Sequence, residues 1–212
     1  METHAQPHSA PQMAAYMKGR FAFLGVNATG RKDALKLLYI QLKGQSYSDI
    51  IEFCKALYLL PQREYHQAAI DILNKFVQLA QPNHMSSLEF FLTTHSWWDT
   101  IDMLASNGLG IFIKKYPEVG IPWVHKAILS PNFWLNRSAI IHQLKYKNEV
   151  NIQLLEESIL PHLEHKEFFV QKAIGWSLRQ YSRQNPGYVA GFVEQYNLQG
   201  LARREALRLL KA

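Results

Sequence analysis

Apolar residues recur along this chain at helical spacing from end to end, and no segment alternates apolar and polar positions convincingly enough for a strand. Ile51-Glu52-Phe53-Cys54-Lys55-Ala56-Leu57 is one such periodic stretch. Val170, Ile174, Leu178 and Tyr181 form another, four large side chains on one side of a helix. Gly, Pro, Asn and Ser separate these stretches into short helices. The pattern predicts helices near 10–20, 30–43, 47–59, 62–80, 84–94, 97–106, 108–115, 118–129, 132–147, 151–163, 167–184, 187–196 and 200–211. Pro82, Pro117, Pro131 and Pro186 fall where breaks are expected, since proline lacks the amide a helix interior needs.

A weak internal repeat runs through these helices. Ala69-Ile70, Ala139-Ile140 and Ala173-Ile174 occupy similar helical positions, the last two pairs 34 residues apart and the first two 70 apart, close to twice that spacing. A period of about 35–45 residues per helix pair suits stacked repeats of the HEAT or armadillo kind, whose curvature creates a concave binding surface. Nothing along the chain shifts in composition like a linker. A single domain over 1–212 is therefore expected, with residues 1–9, polar and scattered with His and Pro, disordered ahead of it.

Composition narrows the function classes. Of 212 residues 48% are hydrophobic, enough for a substantial core. Lys and Arg number 23 against 17 Asp and Glu, a net charge of +6, which suits an anionic partner with nucleic acid foremost. One cysteine, Cys54, excludes an internal disulfide framework and a cysteine-rich zinc module, and its apolar surroundings predict a buried small hydrophobe. No basic flank precedes an apolar run at the N-terminus, and no apolar stretch approaches the roughly 20 residues that span a bilayer. A protein of the cytosol, without a membrane or an obligate protein partner, is expected.

Candidate chemistry is concentrated in three places. The first is Ser96-Trp97-Trp98-Asp99-Thr100-Ile101-Asp102. Ser96 is the expected N-cap, Asp99 answers the helix dipole, and Trp98 and Asp102 share a face at i and i+4. Asp102 lies inside an apolar run, where a carboxylate is costly unless it is paired or opens onto a cleft. A broad aromatic plate beside a carboxylate can hold a cation. The second place is the helix 167–184, where Lys172, Trp176, Arg179 and Arg183 make a basic stripe around one aromatic, suited to phosphates and sugars or to plain solvation. The third is Arg137, between Trp134 and Ile141, which must either join a buried ion pair or open onto a groove as a phosphate clamp. His162 and His165 lack further ligands and read as surface histidines, so no metal site is expected. Gly108-Leu109-Gly110 is only a turn signal, and no phosphate-binding glycine loop, nucleophile elbow or catalytic-cysteine signature is present.

These segments together resemble the AlkD-type DNA alkylation repair glycosylases. The resemblance rests on Ser96–Asp102, on Trp134-Leu135-Asn136-Arg137 with Gln143-Leu144-Lys145-Tyr146-Lys147, and on Lys166–Trp176. Tyr16-Met17-Lys18 with Phe23-Leu24-Gly25, and Leu60-Pro61-Gln62-Arg63-Glu64, agree with it in the right order. It implies an all-α right-handed solenoid of HEAT-like helical repeats with a basic concave face. It further implies a monomer that hydrolyses the N-glycosidic bond of cationic N3- and N7-alkylpurines in duplex DNA, without drawing the base into a pocket and without a cofactor. Trp98, Asp102 and Trp176 would form the catalytic cluster. Arg137, Lys145 and Arg179 would hold the DNA backbone, joined by Lys172 and Arg183 of the basic stripe, and Tyr16 would approach the minor groove. Gly30 stands where the family usually has a proline-containing turn, which predicts a looser helix start near Ala28-Thr29-Gly30-Arg31. The rival reading from another class is a catalytically silent helical-repeat scaffold that only binds DNA or protein.

Overall fold

Backbone amides left unpaired at the start of a helix need an acceptor, and this sequence supplies one at many starts. Asn27, Ser46, Asn132, Asn151, Glu167 and Asn185 each accept from an amide two or three residues further on. Proline opens two helices, at Pro117 and, directly after the Asn185 cap, at Pro186, where its missing amide costs nothing. The computed structural model describes residues 1–210, and every regular element among them is helical. In chain order these are α1 Ala10–Tyr16, α2 Ala28–Gln41, α3 Tyr47–Tyr58, α4 Arg63–Phe76, α5 Met85–Thr93, α6 Trp98–Met103, α7 Gly110–Lys115, α8 Pro117–Ile128, α9 Phe133–Ile141, α10 Ile152–Ile159, α11 Phe168–Tyr181, α12 Pro186–Gln195 and α13 Gly200–Ala206. Each falls within or close to a predicted segment. No described helix is long and apolar enough to cross a membrane.

The chain divides into two compact units, Met1–Ser87 and the remainder from Leu88 onward. In the first, α3 packs on α4, burying Tyr47, Ile50, Ile51, Cys54 and Tyr58 against Ala69, Ile70, Ile72 and Leu73. Cys54 is the buried small hydrophobe expected of it, its Sγ lying 3.5 Å from the Ala69 carbonyl. The segment between α1 and α2 has no regular structure of its own and is held by α4. Glu64, fully buried, accepts the amides of Leu24, Gly25 and Val26 at 2.9–3.1 Å. Arg63, also fully buried, stacks its guanidinium 3.9 Å above the Phe21 ring and donates to His66 Nδ1.

Two expectations in this unit are corrected. Residues 1–9 form two 3-10 turns, Glu2–His4 and Pro7–Ser9, rather than disordered chain. The backbone of Gln6 runs so close to Gly25 that any side chain there would collide with it, a Cβ meeting the Gln6 carbonyl oxygen at 2.0 Å. The start of α2 is not loose either, because Asn27 Oδ1 accepts from Gly30 N at 2.9 Å. An asparagine cap does there what a proline turn does elsewhere.

In the second unit the helices pack in succession, α8 on α9, α9 on α11 and α11 on α13. The repeated Ala-Ile pairs of α9 and α11 are buried, as is the pair in α4 of the first unit. Small-then-large residues at these positions let neighbouring helices approach while still filling the core. From Trp98 to Lys115 the chain is one helical run, with Leu104–Leu109 widened into a π-helix between α6 and α7. Gly108-Leu109-Gly110 is therefore no turn. A Cβ at Gly110 would meet the His142 carbonyl oxygen at 2.4 Å, so glycine serves close packing there.

Candidate active site

The side chains singled out by sequence in the second unit project from α6, α9 and α11, together with the turn after α9. Three aromatic rings join the helices. Trp97, Trp134 and Phe169 lie with centroids 4.9–5.7 Å apart, one ring from the start of each of the three. Trp97 and Trp134 are each only 8% exposed, so this cluster is core, and edge-to-face and tilted contacts of this kind add to plain area burial. Trp97 itself is the N-cap position of α6. Ser96, expected in that role, instead turns its hydroxyl back to donate to the Leu92 carbonyl at 2.7 Å.

Arg137, from α9, forms a buried ion pair with Asp102. Its Nε donates to Asp102 Oδ1 at 2.7 Å and its Nη2 to Asp102 Oδ2 at 2.8 Å, a bidentate fork on α6. Its Nη1 donates to the Phe169 carbonyl at the start of α11, and the guanidinium carbon sits 6.0 Å from the Phe169 ring centre. One side chain thus ties three helices together. The arginine side chain is 4% exposed and that of Asp102 17%, so the carboxylate forms the accessible edge of the pair. Burial raises the Asp102 carboxyl above the usual aspartate range; the hydrogen bonds and charge of Arg137 pull it back, and nearby Asp99 adds to the rise.

The surroundings of Asp102 come from its own helix. Trp98, half-buried, precedes it by one turn on the same face. Asp99 is buried in the first turn of α6, where its charge suits the helix dipole. Immediately after Asp102 the π-helix begins, and side chains compensate its carbonyls: Ser106 Oγ donates to the Asp102 carbonyl at 2.7 Å and Asn107 Nδ2 to the Met103 carbonyl at 2.6 Å. Lys145, in the turn after α9, donates to Asn107 Oδ1. One of the basic residues picked out by sequence is thereby tethered to the helical run that carries Asp102.

On α11 the predicted two-sidedness is present. Val170, Ile174 and Leu178 are fully buried, whereas Lys172, Trp176 and Arg179 are half-buried on the other side and Arg183 is exposed. Both Lys172 and Arg179 pair with Glu205 of α13, Lys172 Nζ to Oε1 at 2.6 Å and Arg179 Nη1 to Oε2. Glu205, Asn107 and the Phe169 carbonyl have no signal in the sequence, because each meets its partner 26 to 38 residues away. Tyr16 belongs to the first unit, where it is 68% exposed at the end of α1 and lines an open groove with Gln12, Met13, Met17, Phe23 and Gln67.

The histidines behave differently from the expectation. His162 is buried, 6% exposed, with its ring 5.5 Å from that of His165, and burial lowers its pKa. It is a core histidine and not a surface one. No group of three or more His, Cys, Asp or Glu side chains with the geometry to hold a metal ion occurs among the described residues.

What this arrangement offers chemically is a carboxylate fixed in position by a buried guanidinium, an indole one turn away, and cationic side chains on neighbouring elements. Among the curated proteins, none matches the chain. In three dimensions it is similar to a predicted DNA alkylation repair enzyme from Enterococcus faecalis, with a TM-score of 0.91 and 32% identity over 99% of this chain and 98% of that one. The family model described as DNA alkylation repair enzyme matches residues 1–210. A family model matched over residues 1–210 and a fold shared over 99% of the chain place it in the DNA alkylation repair enzyme family.

Proposed function

We propose that this protein is a monofunctional DNA glycosylase, hydrolysing the N-glycosidic bond of cationic N3- and N7-alkylpurines in duplex DNA without base flipping. It acts as a monomer built of HEAT-like helical repeats, and its basic side chains receive the duplex. The observation that carries this reading is the Asp102 carboxylate: accessible at one edge, anchored bidentately by buried Arg137, and one turn beyond Trp98. A carboxylate held this firmly cannot swing away when a cation approaches, which is the preorganisation that electrostatic catalysis needs.

Alkylation at N3 or N7 makes the purine cationic and a good leaving group. As the glycosidic bond stretches, positive charge develops on the deoxyribose, as in other glycoside cleavages. Asp102 stabilises that charge directly and accepts a proton from the attacking water. The indole faces of Trp98 and Trp176 add cation–π stabilisation. Phosphates are held by Lys145, Lys172, Arg179 and Arg183, while Tyr16 contributes a contact from the first unit. Arg137 is first of all the anchor of Asp102, and the N–H donors left over from that pairing are what it offers a phosphate. No lysine lies within the Trp-Trp-Asp segment to form a Schiff base, so the product is an abasic site without strand cleavage.

Incubation with duplex DNA methylated at purines, followed by measurement of released bases, tests the reading. The parent protein releases N3-methyladenine and N7-methylguanine. Asp102→Asn slows release by about 100-fold or more while binding undamaged duplex with nearly unchanged affinity. Equal release by parent and variant removes Asp102 from the mechanism, and no release by the parent favours the silent scaffold.

A further inference from the structure

The two cations that flank Trp176 on α11 are not independent. Lys172 precedes Trp176 by four residues and Arg179 follows it by three, so all three share a face of the helix. Glu205 reaches across from α13 and takes Lys172 on Oε1 and Arg179 on Oε2. Its side chain is 13% exposed, against 39% for Lys172 and 21% for Arg179, so the acid lies beneath the two cations. Lys172 in turn holds the Glu205 carboxyl below the usual glutamate range, and Arg179 adds to this. The approach of α13 that makes this reach possible depends on Gly175, the residue beside Trp176. A Cβ there would meet Glu205 Cβ at 2.4 Å and the Ala202 carbonyl oxygen at 2.8 Å.

Charge and geometry decide what such a triad does. Two cations over one carboxylate leave a net charge of about +1, with unused N–H donors on both the ammonium and the guanidinium. Left alone, two long cationic side chains four and three residues from an indole repel each other and sample many rotamers. Joined through one carboxylate, they are fixed on either side of the ring and present their remaining donors together. We infer that Glu205 is a positioning residue, which sets Lys172 and Arg179 around Trp176 as a preorganised seat for a DNA phosphate and so holds the sugar backbone in register with the indole. This deepens the glycosylase reading and rests on it for the catalytic arm of its test. Glu205 touches neither the sugar nor the base.

Glu205→Gln is the informative variant, because glutamine keeps the size and one acceptor while removing the charge. It uncovers one more cation, so undamaged duplex binds more tightly at low salt and the dependence of log K on log salt steepens by about one unit. Release of methylated purine under single-turnover conditions slows by about tenfold, because the backbone is gripped without being placed. Tighter binding with slower chemistry cannot come from simple loss of structure, which weakens both. A slower reaction with weaker binding and a lower melting temperature overturns the proposal in favour of a purely structural role, and unchanged salt slope and rate overturn it outright. If the parent releases no base at all, the glycosylase reading fails, whereas the salt slope of Glu205→Gln on undamaged duplex still tests the phosphate seat separately.

Discussion

At the scale of single residues, the decisive pairing is Asp102 with Arg137. Each looked anomalous in sequence for the same reason, a charge inside an apolar run, and each is the other's answer. Breaking such a pair costs more than the pair is worth, because the surviving charge keeps its desolvation penalty. Arg137→Ala is expected to lower stability by about 3 kcal/mol, toward the low end for buried pairs because Asp102 keeps an exposed edge. Asp102 already titrates above the usual aspartate range, and losing Arg137 raises it further. A carboxyl whose folded pKa exceeds its unfolded value binds more protons folded than unfolded between the two, so its ionisation weighs against the fold above that window. Catalysis runs the other way: it needs the carboxylate and fades as pH falls through the same window. The acid limb of the base-release profile therefore moves to higher pH in Arg137→Ala. An unmoved limb, measured under single turnover, would count against the anchoring role.

At the scale of elements, most helix ends are written locally. An Asn, Ser or Glu cap, or a proline at the first position, can be read a few residues at a time, and the predicted segments follow the observed helices for that reason. The run from Trp98 to Lys115 is different. Asn107 and Gly108 are poor helix formers and read locally as a break, yet the structure keeps them helical as a π-turn. Contacts far along the chain make this possible: Tyr146 donates its hydroxyl to the Gly110 carbonyl at 2.6 Å, and Lys145 holds Asn107. The His142 carbonyl lies where a side chain at Gly110 would go. Gly110→Ala is expected to destabilise the fold by about 1–3 kcal/mol, as overpacked cores do, and to displace the π-turn behind Asp102. Thermal melting together with the base-release assay checks both effects. A variant with parental stability and rate would mean that the α7–α9 contact yields easily.

At the scale of the whole molecule, burial of neutral histidines makes stability depend on pH. His142 is fully buried, donates Nδ1–H to the Ala139 carbonyl at 2.6 Å, and burial lowers its pKa to about 4. Burial also lowers His84 and His162. A histidine whose folded pKa lies below its unfolded value takes up a proton on unfolding between the two, so stability falls as pH drops from near 6.5, the ordinary histidine value, toward about 4. The melting temperature should decline across that interval, and His142→Gln should flatten the decline. A slope unchanged by this substitution would assign the acid sensitivity to other groups. Helical class, the placement of most helices, the net charge of +6 and the order of the motifs are all legible along the chain alone. Periodicity, caps and prolines act over a few residues, and charge is a sum that needs no geometry. That Arg137 pairs with Asp102, that Glu205 joins Lys172 to Arg179, and that His162 is buried follow from the packing of the helices. Ion pairs and close approaches between residues 26 to 35 positions apart exist only once helices are packed.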